Sequence, residues 1–281
     1  MAMADDISMT STDAGMLSAI DPEIIGAVEA RAAEIVRGEP VSSKLVAMLA
    51  LGSIPIALGA LAKDVYGQAP ADVIDVLQFA LLLEYLESDF YTQGLAAPTL
   101  IPASDRIVFS TIGAHELAHV TALEGLIEGK GATPRMKPTF DYTAKGSLPG
   151  FDFGATQYAT FTVLAQAFED TGVRAYKGQM GRLINDKPVL MRALAIHSVE
   201  ARHSYEVRRL RGKKGWITFG SRDDLPAFAQ AIYAGEQNLT QGSVNFAGFD
   251  TNFGGDASAS EAFDEPLTMA EVTAIVTPFL A

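Results

Sequence analysis

The sequence contains no cysteine, one tryptophan and four histidines among its 281 residues. The absence of cysteine excludes disulfide bonds, thiolate metal sites and iron–sulfur clusters, so any metal ion has to bind through oxygen and nitrogen ligands. Positive charge is in the minority, with 21 Lys and Arg against 34 Asp and Glu and a formal net charge of −13. Because nucleic acids and anionic membranes bind basic surfaces, this balance argues against both as partners.

The sequence also lacks a long, uninterrupted apolar run. Its most apolar stretch, residues 45–62, is broken by Gly52, Pro55 and Gly59 and lies near the lower length limit for a membrane-spanning helix. A signal peptide begins with a basic region, but mostly polar and acidic residues and a single Lys44 precede this stretch. A packed helix is therefore the first interpretation, and a signal remnant or a membrane contact are the alternatives.

Four long helical patterns follow, and they predict an all-α four-helix bundle. They cover Ala71–Gln93, Ala103–Glu128, Ala155–Leu183 and Pro188–Gly212. A Gly- and Pro-rich stretch over residues 129–150 separates the second pattern from the third and is too long for a turn between neighbouring antiparallel helices. Short link, long crossover and short link is the connectivity of a ferritin-like bundle.

The rest of the chain is predicted to flank this bundle. Residues 1–70 form an N-terminal leader with helical segments, residues 71–212 the bundle, and residues 213–281 a loop-rich C-terminal extension. Gly, Asn and Asp cluster over residues 242–255, which predicts a surface loop. Thr268 and Glu271 have the spacing of a capping box and predict a short final helix.

Two of the four histidines follow a glutamate by three positions, and each such pair is preceded by a lone glutamate in an apolar stretch. Residues three apart lie on one side of a helix, so a carboxylate and an imidazole can face the same point. The lone glutamate precedes the pair by 32 positions in the first half and by 31 in the second. The repeated set consists of Glu84, Glu116, His119, Glu169, Glu200 and His203.

This set has the composition of a di-metal site. In ferritin-like bundles one glutamate from each of two helices and a Glu-x-x-His pair from each of the other two point inward and bind two ions. Carboxylate oxygens and imidazole nitrogens suit iron and manganese, and the ions offset the cost of burying the glutamates. The six residues are therefore predicted to bind two iron or manganese ions.

Five further residues are candidates for supporting roles. Glu87 is an alternative to Glu84, and His197 is expected to hydrogen-bond a ligand rather than to bind metal. Tyr91 and Tyr176 each follow a lone glutamate by seven positions and are candidate donors to the ligating carboxylates, with ordinary core tyrosines as the alternative. His115, the fifth, belongs to a competing motif.

The string HELAH at residues 115–119 is the HExxH signature of zinc peptidases. In that interpretation His115 and His119 bind zinc and Glu116 is the general base. The third histidine of the extended signature is missing, because Gly125 stands in its place. A zinc peptidase also leaves the second Glu-x-x-His pair unexplained and remains the minor alternative, while the di-metal interpretation makes His115 a neighbour of the site.

The segments VLQFALLLEYLESDFYTQGL, HELAHVTALEGLIEGKGATP, QAFEDTGVRAYKGQM and IHSVEARHSYEVRRLRG together resemble the bacterial ferritin-like domain family, which includes the plant desiccation-related proteins. The layout is more distantly similar to bacterioferritin and rubrerythrin. The resemblance implies a di-iron or di-manganese four-helix fold with the same six ligands. It also implies a twin-arginine export signal in many bacterial relatives, whereas Lys44 alone stands at that place here. A cytoplasmic location is favoured, with periplasmic export as the alternative.

These features predict a di-metal carboxylate protein that reacts with dioxygen or peroxide. Ferrous-iron oxidation and catalase-like peroxide disproportionation are the expected activities, in a role in stress protection. The alternative from another class is a structural or desiccation-stress protein whose metal site is not catalytic. The pattern leaves a homo-oligomer open.

Overall fold

The computed structural model of the protein describes residues 73–281. The predictions for the leader and for the apolar stretch over residues 45–62 lie outside the described residues. Four long α-helices come first: α1 (Val73–Ala96), α2 (Arg106–Gly129), α3 (Tyr158–Gln179) and α4 (Lys187–Leu210). No helix in this described range is both long and apolar enough to traverse a lipid bilayer.

The predicted all-α bundle and its connectivity are confirmed. Helix α1 packs mainly against α2, and α3 against α4, so the bundle consists of two helix pairs. Residues 97–105 link the first pair, a 3₁₀ turn (Met180–Leu183) lies in the link of the second, and residues 130–157 form the long crossover. Helix α2 begins at Arg106 rather than at Ala103, because the carbonyl of Pro102 accepts hydrogen bonds from the amides of Asp105 and Arg106 and closes a turn first.

Local sequence signals determine where α4 begins and ends. The Asp186 carboxylate accepts a hydrogen bond from the amide of Val189 at 3.3 Å and caps the first turn. At the other end Gly212 has a φ of 67°, and the amide of Lys213 donates to the carbonyl of Arg208 at 2.9 Å. Glycine adopts this left-handed conformation without steric cost, so the helix ends at Leu210, two residues before the predicted limit at Gly212.

The bundle core consists of two apolar clusters with a polar layer between them. On α1, α2 and α4 the glutamates of the predicted site fall between residues of one cluster and residues of the other. The first cluster includes Phe90, Tyr91, Phe109, Phe161 and Phe168. The second includes Leu77, Leu81, Leu123, Ile127, Val189 and Ile196. The polar layer is therefore closed off by packed side chains along the bundle axis.

The C-terminal extension contains short elements that pack on the bundle. They are a 3₁₀ segment (Ala227–Tyr233), the strands β1 (Thr240–Gln241) and β2 (Val244–Asn245), a 3₁₀ turn (Thr251–Phe253), α5 (Gly255–Ser260), α6 (Met269–Val276) and a final 3₁₀ turn (Thr277–Phe279). Helix α6 begins with the predicted capping box, since Glu271 donates its amide to the Thr268 hydroxyl at 3.2 Å and accepts from the Thr268 amide at 2.7 Å. The predicted surface loop over residues 242–255 contains β2 and a 3₁₀ turn and is thus partly regular.

A buried arginine on α3 fastens this extension to the bundle. Arg174 is fully buried, donates to the backbone carbonyl of Glu265 at 2.7 Å, and forms an ion pair with Glu236 at 2.7 Å. The carbonyl of Arg174 accepts from the amide of Leu267 at 3.1 Å. Removing such an arginine leaves a buried charge and several carbonyl groups without a partner, so the extension is an integral part of the described fold.

Candidate metal centre

The structure brings all six residues of the repeated set to one place in the middle of the bundle. Each of the four helices contributes one glutamate, and α2 and α4 each add a histidine one turn further along. The four glutamates are 0% exposed, and the histidines His119 and His203 are 8% and 4% exposed. Carboxylates that are buried to this extent require a compensating charge.

The six side chains form two four-residue groups that share two glutamates. In each group one ligand atom from every residue lies within 4.8 Å of the others. Glu116 and Glu200 belong to both groups, Glu84 and His119 complete the first, and Glu169 and His203 complete the second. Each group then has one glutamate and one histidine of its own, and ferritin-like bundles use such a set of glutamates and Glu-x-x-His pairs to bind metal ions.

Glu116 illustrates the bridging position. One of its oxygens, Oε2, lies 3.1 Å from Nδ1 of His119, and the other, Oε1, lies 2.7 Å from Nδ1 of His203. The carboxylate thus has one histidine at each oxygen.

The contacts around His119 converge on one point. Its Nδ1 lies 3.2 Å from Glu84 Oε2, 3.1 Å from Glu116 Oε2 and 3.2 Å from Glu200 Oε1. A single ring nitrogen carries at most one hydrogen and cannot satisfy three oxygens at these distances.

Several ligand atoms in this cluster are buried without a hydrogen bond. In the described part of the chain these atoms are Glu116 Oε1, Glu169 Oε2, both Glu200 carboxylate oxygens and His203 Nδ1. His203 Nδ1 and Glu116 Oε1 are only 2.7 Å apart, yet their orientation is not that of a hydrogen bond. Buried polar atoms are normally paired, and unpaired ones indicate a missing ion or water. The donor set of oxygen and imidazole nitrogen therefore fits metal ions of the iron and manganese class.

The acid–base properties of the cluster lead to the same conclusion. Burial raises the pKa of Glu84 to about 7. Burial also raises the pKa of Glu200 well above its ordinary range, and the negative charges of Glu116 and Glu84 add to this effect. Burial opposes the charged form of Glu116 too, but the hydrogen bond with His119 and the positive charge of the adjacent His203 lower its pKa to about 2. Burial lowers the pKa of His203, but the negative charges of the adjacent Glu169 and Glu116 outweigh burial and raise it to about 11. Without metal ions, protons have to supply the positive charge of the site.

The two tyrosines with matched spacing both donate to glutamates of the cluster, but across the bundle. The Tyr91 hydroxyl on α1 donates to Glu169 on α3, and the Tyr176 hydroxyl on α3 donates to Glu84 on α1. Each tyrosine thus orients the terminal glutamate of the opposite half. Hydrogen bonds of this kind fix the orientation of metal-binding carboxylates.

Glycine at position 172 leaves room for the second bridging glutamate. A Cβ atom at Gly172 would lie 2.6 Å from Glu200 Oε2 and 3.4 Å from Glu87 Oε1. The first distance is shorter than carbon and oxygen atoms tolerate, so a side chain at position 172 cannot coexist with the observed position of the carboxylate.

Sequence reasoning did not single out Gly172 or the neighbouring Asp170. Asp170 is buried and accepts hydrogen bonds from Ser204 Oγ at 2.5 Å, Arg208 Nη2 at 2.6 Å and the Tyr233 hydroxyl at 2.6 Å. It thereby joins α3 to α4 beside Glu169. A glycine in the middle of a helical pattern was the available signal for Gly172, since it costs about 1 kcal/mol relative to alanine and indicates close approach.

Glu87 and His197 do not join either group. Glu87 is 3% exposed, and burial and the charge of Glu200 raise its pKa well above the ordinary range. The geometry thus favours Glu84 over Glu87 as the α1 ligand. His197 lies outside both groups and forms no hydrogen bond with a ligand of the cluster, so the structure does not place it beside a ligand as expected. His197 and His203 lie three residues on either side of Glu200, about 120° apart around the helix, so one helix cannot turn both toward the same point.

His115 also lies outside both groups. It is exposed on α2, and its Nδ1 is 2.9 Å from Nε2 of His203, on the side of that ring away from the carboxylates. The zinc-peptidase arrangement, with His115 and His119 on one ion, is therefore not formed. The imidazole is a neighbour of the cluster, as the di-metal interpretation requires.

Comparison with protein families gives a match over the bundle. No curated protein is similar to the chain at a significant level. The family model described as "Ferritin-like domain" matches residues 72–213, which is just over half of the chain and includes all four long helices. The chain therefore belongs to the ferritin-like domain family.

Proposed function

We propose that the buried cluster binds two iron or manganese ions and that the protein uses them in redox chemistry with dioxygen or peroxide. The observation that carries the proposal is the pair of four-residue groups that share Glu116 and Glu200. Glu116 and Glu200 would be shared by the two ions, which together would supply redox chemistry to one small molecule.

The charges of the cluster support a pair of divalent ions. Four buried glutamates carry four negative charges when ionised, and two divalent ions carry four positive ones. Glu84 and His119 would hold one ion, and Glu169 and His203 would hold the other. Glu87 lies outside both groups, and burial raises its pKa well above the ordinary range, so this carboxyl group is not counted among the four charges.

The protein side chains have two further roles: they orient the ligands, and they exclude water. Tyr91 and Tyr176 fix the terminal glutamates through hydrogen bonds. The apolar clusters on either side keep bulk water out of the bundle core, which strengthens electrostatic interactions there. When bound, two redox-active ions supply or accept the electrons that the reaction needs.

Two reactions fit this site and balance without a further reactant. In ferrous-iron oxidation, each iron substrate ion loses one electron, and dioxygen or peroxide accepts the electrons. In peroxide disproportionation, one peroxide molecule is oxidised to dioxygen while a second is reduced to water. Either reaction removes an oxidant or free ferrous iron, which is the basis for proposing a role in stress protection.

The test measures ferrous-iron oxidation and peroxide consumption by the full chain loaded with iron or manganese. Glu169→Gln and His203→Gln each remove one terminal ligand of the second group. Glu128→Gln on the exposed side of α2 is the matched control, since it changes the same chemical group away from the cluster. We expect both site variants to lose turnover and one bound ion, and the control to keep both.

Two outcomes would count against the proposed activity. Turnover that is unchanged in Glu169→Gln and His203→Gln would place the chemistry elsewhere. A wild-type protein that binds two ions but turns over neither substrate would favour the alternative in which the site has a structural, stress-protective role.

A further inference from the structure

One side chain links the buried cluster to the surface of the bundle. His115 is exposed on α2, and its Nδ1 lies 2.9 Å from Nε2 of His203. The two rings are nearly parallel, with an interplanar angle of 14°. The other hydrogen-bond partners of the cluster, Tyr91 and Tyr176, are buried. The HExxH signature thus leaves one histidine that the proposed metal site does not use as a ligand.

The direction of this hydrogen bond follows from the other side of the His203 ring. His203 Nδ1 faces Glu116 Oε1 at 2.7 Å and Glu169 Oε2 at 3.3 Å, so it is the nitrogen that points at the ion position. A metal-binding ring nitrogen uses its lone pair, so the ring hydrogen resides on Nε2. Nε2 then donates to Nδ1 of His115, and the outer nitrogen of His115 carries its own hydrogen.

The other half of the site has no such contact. Within residues 73–281 no group hydrogen-bonds Nε2 of His119. The sequence repeat explains the difference, because His115 directly precedes Glu116 whereas Val199 directly precedes Glu200. Valine has no hydrogen-bonding side chain.

The two halves are otherwise matched. Each group contains three carboxylates and one imidazole, and each terminal glutamate accepts a hydrogen bond from one tyrosine. A partner on the outer nitrogen of a metal-binding histidine fixes the ring orientation and increases its basicity, and losing such a partner typically weakens metal binding about 10- to 100-fold.

We propose that His115 is a positioning residue that makes the His203 position bind its metal ion more tightly than the His119 position. This inference rests on the proposed di-metal function. It adds that the two positions fill in sequence, with the ion beside His203 bound first.

The experiment titrates the metal-free full chain with Mn²⁺ and follows binding by electron paramagnetic resonance, in which isolated ions and coupled pairs give different spectra. In the wild type we expect isolated ions first and coupled pairs only as the second position fills. His115→Phe keeps a ring but removes the acceptor, and we expect the tighter constant to weaken about 10- to 100-fold. His115→Gln restores an acceptor oxygen and is expected to recover most of the affinity.

Leu117→Ala, also exposed on α2, is the control and should leave both constants unchanged. Thermal unfolding of the metal-free variants separates a positioning effect from damage to the fold, and we expect no change for His115→Phe. Equal constants in the wild type, or equal weakening of both constants in His115→Phe, would overturn the inference. If the wild type binds no pair of ions, the proposed function itself fails; if it binds a pair that His115→Phe leaves unchanged, only this inference fails.

Discussion

Replacing Gly172 with alanine tests the site with a single methyl group. Gly172 lies on α3 beside the carboxyl groups of Glu200 and Glu87. The added Cβ would be 2.6 Å from Glu200 Oε2 and 3.4 Å from Glu87 Oε1. The second distance is an ordinary contact, whereas the first forces the Glu200 carboxylate to move by several tenths of an ångström.

The clash and the helix propensity act in opposite directions. Alanine in a helix interior is about 1 kcal/mol more favourable than glycine, which stabilises the metal-free fold. The clashing atom is the end of a side chain, so a rotation of Glu200 relieves the clash without moving the backbone. Metal binding requires its ligands to be held within about 0.5 Å of the productive geometry. We therefore expect a folded protein whose affinity for the ion pair is about 10- to 100-fold lower, the size of effect that misoriented ligands cause.

Gly125→Ala is the matched control. Gly125 is an exposed residue of α2, and a Cβ there meets no atom within 4 Å. It should raise the free energy of unfolding by about 1 kcal/mol and leave metal binding unchanged. Competition with a chelator measures the affinity, and thermal unfolding measures the stability. If Gly172→Ala bound both ions as tightly as the wild type, the assignment of Glu200 as a bridging ligand would be wrong.

Three further predictions follow from contacts and charges of the described residues. Tyr91→Phe and Tyr176→Phe each remove a hydrogen-bond donor to one carboxylate. Each variant should lower the binding affinity for one of the two ions, since a hydrogen bond to a charged group contributes about 1.5–3 kcal/mol. Gly178→Ala places a Cβ in direct clash with the backbone carbonyl oxygen of Leu267, so the C-terminal extension has to shift. This overpacking should lower the free energy of unfolding by about 1–3 kcal/mol and speed hydrogen exchange of the extension. Burial raises the pKa of Glu84 to about 7, so below that pH an incoming ion has to displace its proton, and Mn²⁺ affinity should fall as the pH is lowered from 8 to 6.

Each of these expectations has a contrary result. If either tyrosine variant lowered the affinity for both ions equally, the pairing of each tyrosine with the glutamate of the other half would be contradicted. Hydrogen exchange in the extension that matches the Gly125→Ala control would mean that the Gly178 contact does not hold the extension in place. Mn²⁺ affinity that is independent of pH between 6 and 8 would mean that no cluster carboxyl group holds a proton before the ion binds.

The sequence predicts much of the bundle because its signals are local or periodic. The four helical patterns, the long crossover and the capping box at Thr268 each depend on neighbouring residues, and the structure has all of them. The first residues of α2 and α3 lie three positions later than predicted, since turns after Pro102 and Gly154 form before the helices begin. Such turns depend on backbone hydrogen bonds that composition does not specify.

The cluster was predictable as a set because of its repeat, but its internal contacts were not. The repeat makes Tyr91 and Tyr176 candidate partners of glutamates, yet each donates to the glutamate of the other half. That pairing depends on how α1 and α3 face each other, which spacing within one helix cannot reveal. The roles of Asp170 and Arg174 were not predictable for the same reason, since the residues that they hydrogen-bond lie 34 to 91 positions away in sequence.

The metal content of the full chain, purified without added metal, tests the central claim most directly. Elemental analysis by mass spectrometry gives the identity of the metal and the number of ions per chain. The two groups that share Glu116 and Glu200 predict two iron or manganese ions per chain, and loss of at least one in Glu200→Gln. The account would be contradicted by one zinc ion per chain. It would also be contradicted by a metal-free protein that does not bind added iron or manganese.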